Sequence, residues 1–138
     1  MNIEVRFFSR SGNTKKVADA IAKAAGLQAK DCGMPISEQV DVLFLGGSVY
    51  GGGIDKSLRE FIENLDQKNI KCAALFGTSA IAKNPYKEME KMLLQKNIPI
   101  AQQRFYCRGA FTIMHRGRPN AADLKQAAEF AVNVINSL

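Results

Sequence analysis

The sequence predicts one α/β domain, residues 1–138, built as a doubly wound, five-stranded parallel sheet with helices on both faces. Three observations predict it. Short apolar runs alternate with segments whose apolar residues recur at helical spacing. The run "DVLFLGG", Asp41 to Gly47, is continuously apolar, as in strands buried on both faces of parallel sheets. Parallel neighbours require crossovers, and crossovers place helices on both faces. A chain of 138 residues suits one domain, and 46% hydrophobic against 23% charged residues excludes a disordered chain.

The first strand is Ile3 to Phe8, short and rich in β-formers. Glu4 and Arg6 share one of its faces, so that face is either incompletely covered or the two residues satisfy each other. Gly12 to Ala25 follows as a helix with Val17, Ala20, Ile21 and Ala24 on one side, closed by Gly26. "LQAK" makes a brief second strand and "DVLFLGG" the third. The next helix carries a stripe of Ile54, Leu58, Phe61, Ile62 and Leu65 behind Asp55 as N-cap. "IKCAALFG" is the fourth strand; Asn84 and Pro85 supply a cap and a first helical residue for a helix faced by Tyr86, Met89, Met92 and Leu93. "IAQQRFYC" is the fifth strand. Ala121 to Leu138 closes the chain as a helix with Leu124, Ala127, Ala128, Ala131, Val134, Ile135 and Leu138 on one side. The methionine and alanine stripes belong to the core.

Several function classes drop out. Cys32, Cys72 and Cys107 have neither CxxC spacing nor companion histidines, which excludes zinc and iron–sulfur centres and leaves buried, reduced thiols. Cys72 and Cys107 fall at opposite ends of neighbouring strands, beyond disulfide reach. The N-terminus lacks a secretory pattern and no apolar stretch approaches a membrane span, so the expected location is cytoplasmic. The net charge of +6 suits an anionic ligand or acidic partner; no nucleic-acid motif accompanies it. His115 is the only histidine and has no serine–carboxylate companions, so no catalytic triad and no catalytic side chain is assigned.

The chemistry concentrates in "FFSRSGNTKK", Phe7 to Lys16, where the first strand gives way to the first helix. In a doubly wound sheet this junction lies on the rim at the carboxyl ends of the strands, where ligands bind. Gly12 permits close backbone approach, Ser9, Ser11 and Thr14 carry hydroxyls, Arg10 and Asn13 add donors, and a helix N-terminus favours an anion. Helix capping alone would explain Ser11 or Asn13 but not the whole cluster. Neither GxxxxGK[ST] nor GxGxxG is present, which excludes the nucleoside-triphosphate and dinucleotide loops. A phosphoacceptor receiver is disfavoured because the strand end offers serines and arginine rather than an acidic pocket.

Ser9 to Thr14 resembles the flavodoxin phosphate loop, hydroxyl-x-hydroxyl-G-x-T, with Ser9 in place of the commoner threonine. "DVLFLGGSVYGGGIDKSLREFIENL" is similar to the third strand, flavin-contacting loop and following helix of that family, and the likeness spans essentially the whole chain. The resemblance implies strand order 2-1-3-4-5 and one bound FMN. Its phosphate would lie in the first loop, on Ser9, Arg10, Ser11, Gly12, Asn13 and Thr14. Its ring would lie between the second loop, Gly47 to Ile54, and the third, Gly77 to Asn84, with Ser48, Val49, Tyr50, Gly51, Gly52, Thr78, Ser79 and Ala80 as contacts and Tyr50 as the stacking aromatic. Electron transfer between redox partners is the implied function. Arg10 and "GGSV...SLREF" also resemble the flavodoxin-like protoporphyrinogen oxidases, which implies as an alternative an FMN-dependent oxidoreductase acting on a carboxylate-bearing substrate such as a porphyrin. Those oxidases have a longer third loop than "GTSAIAKNPYKEMEKM", and carrier flavodoxins are typically acidic where this chain is basic. A cofactor-free interaction module of the same fold is the remaining alternative. Beyond the fifth strand, "CRGAFTIMHRGRP" offers Arg108, Arg116 and Arg118 as a docking surface for an acidic redox partner.

Overall fold

β1 (Ile3–Phe7) turns into α1 (Asn13–Ala24), which ends where Gly26 takes a φ of 77° that other residues resist. β2 (Lys30–Asp31), β3 (Val42–Tyr50) and β4 (Gly53–Ile54) follow, then α2 (Lys56–Glu63), β5 (Ala73–Ser79), α3 (Lys87–Gln95), β6 (Phe105–Arg108) and α4 (Ala121–Asn136). The computed structural model describes residues 1–50, 53–79, 86–110 and 116–138, and of Tyr50 the backbone. The expected cap residues Asn84 and Pro85 lie outside them; α3 opens at Lys87 behind Tyr86.

The parallel strands run in the order β2-β1-β3-β5-β6, which is the expected 2-1-3-4-5 once the added strand β4 is set aside. β4 is antiparallel to the end of β3, pairing Val49 with Ile54 and Tyr50 with Gly53. Alternation along the strands sorts the core into two layers. Val5, Phe7, Val42, Phe44, Ala74, Phe76, Phe105 and Cys107 face α1 and α4, whose Val17, Ile21, Ala127, Phe130 and Val134 meet them. Leu43, Leu45, Ala73 and Leu75 face α2 and α3, and the whole predicted stripe from Ile54 to Leu65 is buried there with Met89 and Leu93.

Adjacent glycines in β3 serve both layers. A Cβ on Gly46 would lie 2.0 Å from the Phe76 ring, and one on Gly47 2.4 Å from Leu58 Cδ2. Both glycines are therefore packing residues.

Several predicted boundaries move, among them the end of the first strand at Phe7, the third strand at Val42–Tyr50 and the fourth at Ala73–Ser79. The second strand is Lys30–Asp31 rather than "LQAK", exposed and only two residues long. Of "IAQQRFYC" only Phe105 onward is strand, alternating buried and half-buried, while Ile100 makes an isolated bridge to Ala73. Leu138 lies past the end of α4 and is exposed. The cysteines are free, and Cys107 sits opposite Thr78, six residues along from Cys72, so about 20 Å separates them at about 3.3 Å per residue.

The β2–β3 crossover carries no helix, and it resolves the Glu4/Arg6 question. Arg6 faces the α2 layer but is only 2% exposed. Its Nε donates to the Met34 carbonyl at 2.9 Å, Nη2 to the Pro35 carbonyl at 3.4 Å and to Glu4 at 3.2 Å, and Nη1 to the Val5 carbonyl at 3.3 Å. An irregular loop thus covers this face with carbonyls, and the buried guanidinium satisfies them. Between this loop and α2 remains a cavity of about 440 Å³ lined in part by Phe8, Cys32, Ile36, Phe61 and Leu65. Desolvation by burial, with help from Asp31, pushes the Cys32 thiol up to about 11, so it stays protonated near neutrality.

Candidate functional site

The rim is assembled from the segment after β1, the ends of β3 and β5, and the start of α1. Gly12 is the α1 N-cap at φ 91°, ψ −4°, a conformation that disfavours any residue with a Cβ. Among the described residues no side chain caps α1, and its first turn holds no acidic residue, so the leading amides of the helix keep their capacity for an anion. Among the described residues nothing lies within 4 Å of a Cβ built on Gly12. The Gly12 N–H donates to Ser9 Oγ at 3.0 Å, which folds the loop back on itself, and Ser11 is exposed. Asn13 Nδ2 donates to the Ala110 carbonyl at 2.9 Å, fastening the loop to the segment after β6. A Cβ on Gly109 would come within 2.8 Å of that amide, so glycine makes this approach possible.

Thr14 does not face the open side. Its hydroxyl lies 2.8 Å from Thr78 Oγ1 and 3.1 Å from Ser48 Oγ, and those two are 2.7 Å apart. Ser48 and Thr78 are register partners on β3 and β5. The three buried hydroxyls form a closed triangle that pins the first turn of α1 to the strand ends, each oxygen satisfied without water. Ser48 and Thr78 therefore support the loop from beneath.

Ser48, Val49 and Tyr50 lie on strand β3 rather than in a loop, and Thr78 and Ser79 on strand β5. Val49 is half-buried, and the Ser79 carbonyl accepts from the Gly109 N–H at 3.3 Å. The Tyr50 side chain, Gly51, Gly52, Ala80 and His115 lie outside the described residues.

Ion pairs join the loops. Arg10 Nη2 donates to Asp55 Oδ1 at 2.9 Å, while Asp55 Oδ2 accepts the Ser57 N–H as the predicted α2 cap. These bonds, the Ser57 amide foremost and Arg10 next, hold the Asp55 carboxyl below its ordinary range. Glu88 Oε1 accepts the Ile54 N–H at 3.0 Å, and Glu88 Oε2 accepts from Arg59 Nη2 at 2.8 Å. Burial pushes the Glu88 carboxyl up, but the Ile54 amide and Arg59 outweigh it and the net shift is downward. Among the described residues no group of three or more histidines, cysteines or carboxylates could hold a metal.

The sequence profile of the flavodoxin domain matches residues 5–114, most of the chain and all three rim loops. The chain belongs to the flavodoxin family. An uncharacterised protein of Methanocaldococcus jannaschii is 29% identical, with 91% of each chain covered. Among solved structures, a flavodoxin from the domain Archaea superposes with a TM-score of 0.78 at 14% identity, covering 99% of this chain and 98% of that one. Oxidised flavodoxin 2 from Bacillus cereus gives 0.74 at 20% identity over the whole of both chains. Rubredoxin oxygen:oxidoreductase from Desulfovibrio gigas gives 0.77 at 14% identity, but this chain spans only 35% of it. At these identities the structural likeness shows the flavodoxin fold.

Of the basic loop of this flavodoxin-family chain, Arg118 is committed elsewhere. Its Nη2 donates to Asp123 Oδ1 at 2.8 Å and its Nε to Asp123 Oδ2, while Asp123 and Asn120 form a reciprocal capping box on α4. Arg108 is half-buried with its guanidinium 5.5 Å from the Tyr106 ring centroid, and Arg116 is exposed. The α4 box was detectable as "NAAD", Asn120 to Asp123, ahead of the apolar stripe. The Arg59–Glu88 contact spans 29 residues and leaves no local signal. No helix among the described residues is long and apolar enough to cross a membrane.

Proposed function

We propose that this chain binds one FMN at the rim and passes electrons between redox partners. The observation that carries the proposal is the uncapped α1 N-terminus behind Gly12, held open beside Ser9 and Ser11 in a chain of the flavodoxin family. Ser9, Ser11 and the first amides of α1 would hold the phosphate; Thr14 contributes its backbone amide, its hydroxyl being engaged with Ser48 and Thr78. Val49, Tyr50, Gly51 and Gly52 on one side and Ser79 and Ala80 on the other would flank the ring. FMN, when bound, supplies the redox chemistry; the chain's own residues anchor it and fix its orientation. An acidic redox protein is the partner we assign to the end of β6 and the basic segment after it, with Arg108 and Arg116 as docking groups and Arg118 reserved for α4. Titrating the purified protein with FMN and with riboflavin tests the proposal. FMN is expected to bind one per chain and at least about tenfold more tightly than riboflavin, which lacks the phosphate. Equal affinities, or no binding of either, would refute it.

A further inference from the structure

Contacts from three directions converge on residues 53–55. β4 is two residues long, and a two-residue antiparallel arm does not hold its own position in water. What fixes it is a clasp. Glu88 Oε1 accepts the Ile54 N–H, Arg59 Nη2 reaches the Ile54 carbonyl at 3.3 Å, and Arg59 closes the ring by donating from Nε and Nη2 to Glu88 Oε2 at 3.1 and 2.8 Å. Next along the chain, Asp55 takes Arg10 from the first loop. Gly53 is fitted to the arrangement: a Cβ there would lie 3.2 Å from Glu88 Oε1 and 3.4 Å from Arg59 Nη2.

We propose that Glu88 and Arg59 are positioning residues for the ring half of the flavin site, a role that rests on the FMN assignment above. Glu88 stands in the first turn of α3, just beyond the third rim loop, while Ile54 belongs to the second. One carboxylate therefore ties the end of the second loop to the helix that follows the third. The side chains of Arg59 and Glu88 are 42% and 33% exposed, so as an ion pair they add little to global stability. Their effect is geometric. The phosphate loop has fastenings of its own, through Ser9, Asn13 and the hydroxyl triangle, in addition to the Arg10–Asp55 pair.

This separation makes the test. Glu88→Ala is expected to weaken FMN and riboflavin by the same factor, about tenfold, because both carry the ring, and to alter the visible circular dichroism of the bound flavin, with the urea midpoint close to the parent's. Glu88→Gln keeps an acceptor for the Ile54 N–H and should recover most of the affinity. Ser11→Ala should weaken FMN alone. If Glu88→Ala misfolds, Arg59→Met must show the same joint loss. A Glu88→Ala or Arg59→Met protein that binds both flavins as the parent does, or that loses only FMN, overturns the inference and leaves the FMN assignment standing. A parent that binds neither flavin overturns both.

Discussion

Replacing Arg6 by Met removes a buried charge while keeping most of its apolar volume, and the structure allows the effect to be sized. The 2.9 Å bond from Nε to the Met34 carbonyl is charge-assisted and contributes about 1.5–3 kcal/mol. The bonds at 3.2–3.4 Å to Glu4, Val5 and Pro35 are near the long limit and together add about 1 kcal/mol. Glu4 keeps 25% of its side chain exposed, so water can take over its solvation, and the total stays near or below the roughly 3–5 kcal/mol of a fully buried broken pair. The expected loss is about 2–4 kcal/mol. With a urea dependence of about 2 kcal/mol per molar, the unfolding midpoint should fall by about 1–2 M. Amide exchange should quicken across residues 32–41, whose carbonyl anchor is gone, while Glu4→Gln should lower stability by less than about 1 kcal/mol. An Arg6→Met midpoint within about 0.3 M of the parent's would refute the assignment of Arg6 as the support of the helixless crossover.

Acid should release the α4 cap. Burial raises the Asp123 carboxyl, but Arg118 and the Asn120 amide outweigh it and its folded-state value lies below the ordinary one. Its stabilising contribution is therefore complete above the unfolded value near pH 4 and lost as pH falls through the depressed folded value; Asp123→Asn should be less stable at pH 7 and show a flatter stability profile below pH 4, by urea melts at each pH. Arg116→Gln should slow association with an acidic redox partner, most strongly at low ionic strength, while leaving FMN affinity unchanged; stopped-flow mixing across a salt series checks this, and an unaltered salt dependence would remove Arg116 from the docking surface.

Where burial follows local periodicity, the sequence was readable. The stripe from Ile54 to Leu65 and the run at Val42–Gly47 are buried as their spacing predicts, and Asp55 caps α2. Ser9 to Asn13 also lie where their sequence position predicts, at the strand-to-helix junction that opens α1. Elements decided by neighbours were harder. β2 consists of two exposed residues that pair only because Arg6 and Phe7 lie alongside, and nothing apolar marks it. The polar stretch Ala101–Arg104 looks like a continuation of Ile100 but makes no ladder, the strand starting where Phe105 reaches the core. Within the site, the motif alone places the Thr14 hydroxyl on the ligand. Its orientation depends on Ser48 and Thr78, 34 and 64 residues away, which turn the hydroxyl toward the sheet. Arg118, expected in the docking surface, is paired with Asp123 of the following helix, an orientation that the basic composition of the segment does not carry.

The glycine pair of β3 has a consequence for how such a chain can change over time. Gly46 and Phe76 are register partners whose space is shared: the ring occupies the volume that any side chain at position 46 would need. A larger residue at 46 is tolerable only with a smaller one at 76, so substitutions at the two positions are coupled and their effects will not add. Gly47 and Leu58 are bound by the same constraint in the opposite layer. Since the sheet stands between the two pairs, each can drift as a unit while the other stays fixed, and β3 can keep one glycine while losing its neighbour.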